Sequence, residues 1–323
     1  MALSDRGGGL AADVGGTNVR FARVTSDESG RPVLSDERVL AGADFRDFES
    51  CLEAYLGGDR PARAVFGIAG SVGGGRIRLT NRDWSFSVED LEQRFGLQSL
   101  EIINDFAAIA YAVPVLEADD WRPLPGPAWP AALPDRVSVI GPGTGLGVAM
   151  LVDGGARVVP TEAGHTTFAP ADRDDLALLD HLLRTRDHVS RETLLSGRGI
   201  ETLYQTLAAM DGRATPSRTA AEIVAAATGE DLARRTIERF ADLLASALGD
   251  LALAQGAQAV VVAGGIPPRI AGHLETPRFR ARFEARGPAA GDMARIPIAL
   301  IARPEPGLLG AARRLVSSWA ADL

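Results

Sequence analysis

The sequence predicts an α/β protein of two domains whose halves repeat one design. Three observations carry that prediction. The chain has 323 residues, enough for two domains of about 150 residues each. Two stretches, 9–24 and 137–152, read as an apolar strand, a glycine turn and a returning apolar strand. Two further apolar strands end in glycine in matching fashion, Ala64 to Gly70 in the first half and Ala259 to Ile266 in the second. A repeat of this length marks a duplicated domain rather than a solenoid.

Composition narrows the chemistry. A net charge of −8 and a pI near 5.2 disfavour a nucleic-acid partner. No apolar run approaches the ~20 residues needed to cross a bilayer, and the start lacks a signal core, so no membrane partner and a cytoplasmic location are expected. Cys51 is the only cysteine, which leaves no disulfide and no thiolate metal cluster. All 34 basic residues are arginine. Without lysine there is no Walker P-loop, no protein-kinase lysine and no pyridoxal Schiff base. Phosphate, if bound, must be held by backbone amides, metal or arginine.

In chain order, residues 1–8 read as a frayed lead-in. In the first hairpin Asp13, Gly15, Gly16 and Thr17 occupy the turn. Paired glycines present bare N–H groups to an anion, and Asp13 suits a hydrated Mg²⁺; a plain hairpin turn is the competing reading. Residues 33–40 read as a strand. Residues 44–56 have helical spacing, with Phe45, Phe48, Cys51, Leu52 and Leu56 on one stripe. The buried strand 63–69 runs into Gly70–Gly75, a ligand loop or hairpin. A hydrolase elbow at Ser71 is rejected, because glycines follow where a helix is needed. Thr80 to Trp84 is polar with one aromatic, as a sugar-contacting or an ordinary loop would be. Ser87 caps a helix that Gly96 ends.

The strand 100–103 leads into Asn104 and Asp105, then a helix of small residues. In α/β sheets ligands sit at the carboxyl ends of strands, so Asp105 is placed to accept a proton from a hydroxyl. Either residue also serves as a helix N-cap. Six prolines between 114 and 134 exclude a helix or central strand and mark the interdomain crossover. The second hairpin carries Gly143, Thr144 and Gly145 in its turn and fails the G-x-G-x-x-G pattern. Glu162 and His165 are spaced to face one ligand. The four histidines lack zinc-site spacing. Glu192 opens a helix, where an acidic residue usually complements the dipole. A long amphipathic helix lies within 228–254. Gly264 and Gly265 end the next strand, where Gly265 admits a flat nucleobase. Residues 275–296 read as exposed, 296–301 as a strand, and 306–319 as a final helix with Arg313 and Arg314 on a solvated face.

Together these motifs resemble the bacterial glucokinases of the actin/hexokinase/Hsp70 superfamily, in the group lacking the cysteine zinc motif of the ROK proteins. The likeness runs nearly end to end. Asp13 to Asn18 is similar to the first phosphate loop, Gly141 to Gly147 to the second. Thr80 to Trp84 is similar to the sugar-side loop and Glu101 to Phe106 to the catalytic segment. Ala163 stands where the family usually has glycine. The resemblance implies an actin-like, ribonuclease H-like ATPase fold with duplicated mixed-sheet cores. It implies a small domain of 1–115 plus 306–323, a large domain of 116–305, and an active site in the cleft between them. It implies ATP-dependent phosphorylation of D-glucose to glucose 6-phosphate, the first step of glucose catabolism. By that analogy Asp105 is the catalytic base, and Asn81, Asn104, Glu162, His165 and Glu192 join it in holding the sugar. Ala12, Asp13, Val14, Gly15, Gly16, Thr17, Gly143, Thr144, Gly145, Gly264 and Gly265 bind the nucleotide, and Asp13 holds Mg²⁺ through water. A homodimer is expected on the same grounds. The rivals are a kinase of fructose, mannose or an N-acetylated sugar, and a non-catalytic sugar-sensing regulator. The regulator is disfavoured because the first strand starts by residue 9, too early for a helix-turn-helix, and because Asp105 is present.

Overall fold

In the computed structural model the described residues are 8–73, 76–79 and 83–321. Residues 1–7 of the lead-in expected at 1–8, the glycines at 74 and 75, and Thr80, Asn81 and Arg82 of the expected sugar-side loop lie outside them. The chain divides into two compact units, Met1–Glu117 with Arg303–Leu323, and Ala118–Ala302.

The first unit is built on a five-stranded sheet. Strands β1 (Gly9–Val14), β2 (Asn18–Ser26) and β3 (Pro32–Ala41) form an antiparallel meander. Strand β4 (Arg63–Ile68) lies parallel to β1 on its other side. A small antiparallel sheet follows, β5 (Gly70–Gly73), β6 (Arg76–Leu79) and β7 (Ser85–Ser87). Strand β8 (Ser99–Asn104) then closes the main sheet parallel to β4. The hairpin alternative for the glycine-rich stretch after β4 is therefore the one observed.

Alternation along β1 sends Leu10, Ala12 and Val14 into a core with helices α1 (Phe48–Leu56) and α2 (Val88–Phe95). Ala11 faces the opposite side, toward the C-terminal helix Pro306–Ala321 and Ala108 of α3 (Asp105–Ala112). The small residues of α3 have a packing reason. A Cβ on Gly310 of the C-terminal helix would lie 1.6 Å from the Ala108 carbonyl oxygen, and one on Gly67 would lie 2.8 Å from the Ala108 Cβ.

The second unit repeats the scheme. Strands β10 (Val137–Pro142), β11 (Leu146–Val152) and β12 (Arg157–Thr161) form the meander, and β13 (Ala259–Val262) and β14 (Ile298–Ile301) run parallel to β10. A short strand β9 (Trp121–Pro123) adds an antiparallel edge on β14. Helices α4 (Arg173–Leu183), α5 (Arg191–Leu194), α6 (Gly197–Met210), α7 (Ala220–Ala226) and the long α8 (Asp231–Gln255) follow the meander. Helices α9 (Ala271–Leu274), α10 (Pro277–Glu284) and α11 (Ala290–Met293) fill the loop between β13 and β14. One apolar core, centred on Phe240, Leu244, Leu248 and Phe283, joins the helices to the sheet.

Three expectations are corrected and one holds. Helix α1 starts at Phe48 and not at 44, because Asp47 accepts the Ser50 N–H at 2.8 Å in a capping box and Phe45 stays extended. The proline-rich stretch holds no central strand, as expected: its short strand β9 lies at the sheet edge, where Pro123 is tolerated. Residues 275–296 are not an exposed run: Phe279, Phe283 and Met293 are core. Arg280 is buried there, its guanidinium donating to the carbonyls of Met293, Ala294 and Ile296. Arg313 and Arg314 do not form a solvated face. Both are half-buried, and Arg314 lies over the Tyr111 ring and bonds Glu101 at 2.8 Å.

Candidate active site

In the first unit the carboxyl ends of three parallel strands align. The register pairs Val14 with Ile68 and Ile68 with Asn104, so Asp13 near the end of β1 and the Asn104–Asp105 step share one edge of the sheet. This is the edge where an α/β sheet takes its ligand.

Asn104 caps α3: its Oδ1 accepts the N–H groups of Phe106 at 2.9 Å and Ala107 at 3.2 Å. The capping alternative is thus real for Asn104, and it commits only the oxygen. The amide nitrogen makes no bond among the described residues and can donate to a hydroxyl. Asp105 takes the first helical position, and its Oδ1 accepts the Phe106 N–H at 2.8 Å. Burial pushes its pKa up, and the Phe106 amide opposes that rise. The amide of Asp105 itself also opposes the rise. A carboxylate fixed by one oxygen and raised in basicity suits general-base work.

Asp13 is not in the turn as expected: it is the penultimate residue of β1, paired with Arg20 of β2, because the ladder runs on to Val14 and Val19. Gly15 N–H donates to the Asn18 carbonyl at 3.0 Å and closes the bend. Ala12 and Val14 are fully buried, in the ladders that join β1 to β2 and β4. Burial pushes the Asp13 carboxyl up to about 6; the Arg20 guanidinium pulls it down and the Asp105 charge adds to the rise. Arg20 stands 3.8 Å from Asp13 and also pairs with Glu305. Glu305 adopts a left-handed φ of 56° just before the C-terminal helix. A Cβ at Gly307 would lie 3.1–3.2 Å from the Asp13 carboxyl atoms, so glycine there makes room for the carboxylate. Sequence reasoning missed Arg20, Glu305 and Gly307. The first was legible: counting back from the turn puts Arg20 opposite Asp13.

Among the described residues no group of three or more His, Cys, Asp or Glu side chains could hold a metal ion. The residues fit a hydrated cation of another kind. A carboxylate held away from water gains from a nearby positive charge, and Mg²⁺ commonly keeps its waters and leans on one carboxylate plus phosphate oxygens.

In the second unit the turn of the β10–β11 hairpin is held from several sides. Gly143 N–H donates to the Gly145 carbonyl at 2.8 Å, and Gly197 N–H donates to the Gly143 carbonyl at 2.8 Å. Leu146 N–H donates to Glu192 Oε2 at 2.7 Å. Thr144 is exposed at the tip. Gly264, with φ of 88°, passes so close to Pro142 that a Cβ would meet its carbonyl oxygen at 2.4 Å. A Cβ at Gly265 would meet nothing within 4 Å, which leaves its surface open to a flat ligand.

Beside this turn, the His165 ring stands between two carboxylates. Nε2 is 3.8 Å from Glu162 and Nδ1 is 3.9 Å from Glu192. Glu162 is 89% exposed and Glu192 only 32%. Both gaps exceed a hydrogen bond, so each group keeps capacity for ligand hydroxyls. Ala163 begins a short turn with negative φ, and its methyl packs against the core. The departure from glycine there is sterically neutral. Glu192 is more than a dipole partner for α5, because its carboxylate binds the neighbouring turn.

The family model for glucokinase matches residues 10–318. The chain is 40% identical over 317 residues to a glucokinase of Caulobacter sp. (strain K31), covering 96% of this chain and 95% of that one. It is 40% identical to a glucokinase of Chromobacterium violaceum, covering 96% and 90%. Among solved structures, the glucokinase of an Antarctic psychrotroph superposes with a TM-score of 0.85 at 36% identity, covering 95% of this chain and 98% of that one. The chain belongs to the glucokinase family and is a hexose kinase.

Proposed function

We propose that the protein transfers the γ-phosphoryl group of ATP to the 6-hydroxyl of D-glucose, with Asp105 as the general base. The observation that carries the reading is Asp105 itself. Its carboxylate is anchored through one oxygen at the ligand edge of the sheet, with a pKa pushed up by burial.

As O6 attacks phosphorus, the O6–H proton passes to the Asp105 carboxylate. The new O–P bond forms as the bond to the β-phosphate oxygen breaks, and ADP leaves. Little covalent work falls to the protein; positioning and charge stabilisation dominate such transfers. The turns Gly15–Thr17 and Gly143–Gly145 receive the phosphates, each braced by its first amide, which donates within the bend. Gly264 and Gly265 receive the nucleoside. Asp13 would hold a hydrated Mg²⁺, which would supply neutralising charge to the phosphates. Asn104 donates to a hydroxyl from its amide nitrogen. Glu162, His165 and Glu192 bind further hydroxyls, and charged acceptors make these the stronger bonds. A sugar with one hydroxyl inverted covers one of these acceptors without pairing it, which gives discrimination. Asn81 completes the sugar set in this reading.

The proposal extends to a homodimer, on family grounds, which light scattering on the purified protein tests. It extends also to the cytoplasm, where ATP and free hexose meet. The direct test of function is coupled ADP release across a hexose panel with Mg²⁺-ATP. Glucose should give the highest kcat/KM. Equal efficiency on fructose, mannose and N-acetylglucosamine would defeat the glucose assignment.

A further inference from the structure

We propose that Glu192 couples the hexose site to the nucleotide turn, so that each ligand strengthens the binding of the other. The inference rests on the reading above, which puts hexose at His165 and Glu192 and phosphate at Gly143–Gly145.

The two oxygens of one carboxylate have different tasks. Oε2 accepts the Leu146 N–H at 2.7 Å, a charge-assisted bond to the strand leaving the turn. Oε1 faces His165 Nδ1 at 3.9 Å, on the sugar side. The seat is tight: a Cβ on Gly145 would lie 2.4 Å from Oε2. Glycine at 145 is therefore required by the carboxylate as well as by the phosphate. The segment that carries Glu192 grips the turn a second time, because Gly197 N–H donates to the Gly143 carbonyl at 2.8 Å.

That segment is itself tied to the histidine. Arg191 N–H donates to the Thr166 carbonyl at 3.0 Å, and the Arg191 guanidinium bonds Thr166 Oγ1. The same guanidinium reaches Asp250 of α8 at 3.7 Å, and Ser190 with Thr193 closes a capping box around it. Thr166 follows His165 directly. His165, Glu192 and the Gly143–Leu146 turn are thus joined by a chain of bonds.

A hexose hydroxyl donating to Oε1 fixes the rotation of the carboxylate. Oε2, the Leu146 amide and the turn are then fixed with it. The nucleotide meets a turn whose ordering has already been supplied. By linkage the effect is reciprocal, with couplings between sites typically about 5–150-fold.

The test measures the dissociation constant of the non-hydrolysable analogue AMP-PNP with Mg²⁺, alone and with saturating glucose, in wild type and Glu192→Gln. Wild type should bind AMP-PNP at least about 5-fold more tightly with glucose present. In Glu192→Gln the ratio should fall to near one, because the amide oxygen stays on the Leu146 N–H and the NH2 that replaces Oε1 donates where the sugar hydroxyl needs an acceptor. His165→Asn should weaken glucose but keep the wild-type ratio at its own saturating glucose. Gly145→Ala offers a second route that leaves the carboxyl group intact. It should displace Oε2, weaken glucose binding at least tenfold and lower the ratio. A wild-type ratio of one, or a wild-type ratio retained in Glu192→Gln, overturns the coupling. Failure of the underlying reading shows differently: both Glu192→Gln and His165→Asn would then bind glucose as wild type does.

Discussion

Asp13 and Arg20 are register partners across the first hairpin, and their charged groups stand 3.8 Å apart. The pair is unequal. Burial raises the Asp13 carboxyl to about 6, and Arg20 only moderates that rise. Removing the cation should therefore push Asp13 further toward its neutral form. In Arg20→Gln the KM for Mg²⁺-ATP should rise, and more at pH 6 than at pH 8. An equal change at both pH values would show that Arg20 acts without altering the Asp13 charge.

Stability should carry the same signature. Asp13 ionises near 3.8 when unfolded and near 6 when folded. Between those values the folded chain binds the extra proton. The contribution of protonated Asp13 is full below about pH 3.8 and is lost as pH rises through about 6. Two pKa units correspond to on the order of 2–3 kcal/mol. Ligand-free Asp13→Asn should be more stable than wild type at pH 8, and the difference should vanish near pH 4. Urea midpoints at the two pH values measure it.

Asp105→Asn tests the base. The amide keeps an acceptor for the Phe106 N–H but cannot take the hydroxyl proton. Turnover should drop about 10²–10⁴-fold, with glucose affinity measured by fluorescence titration within a few-fold of wild type. In wild type, kcat/KM should fall on the acid side at a pH above the ordinary aspartate range, following the raised Asp105 pKa. Undiminished turnover in the variant would reject the role.

Gly310→Ala probes the support beneath Asp105. The new Cβ would lie 1.6 Å from the Ala108 carbonyl oxygen of α3, and backbone cannot yield as a flexible side chain can. Overpacking of this kind costs about 1–3 kcal/mol, occasionally more. The urea midpoint should fall accordingly, and kcat should fall too, because α3 carries Asp105. A variant with unchanged midpoint would mean that the two helices separate freely.

The local pattern determined much of this protein. Alternating apolar residues around Gly15–Gly16 and Gly143–Gly145 specified both hairpins, because a strand's faces alternate with period two and glycine bends without strain. Ser87 and Gly96 bounded α2 as their capping chemistry requires. The strand-to-helix step at Asn104–Asp105 was legible because an amide and a carboxylate after an apolar strand suit a helix start, which Asn104 caps. The absence of lysine ruled out whole classes of phosphate chemistry. Tertiary structure alone decided what each polar group meets. Arg280 and Arg314 read as solvated because charge favours water, yet three carbonyls bury one and Glu101 with Tyr111 shelters the other. Glu192 read as a dipole partner because its other neighbour, the Leu146 amide, lies 46 residues away in the chain. Periodicity reports which face a residue occupies, but the partner across that face comes from a distant segment, and only the folded chain brings it there.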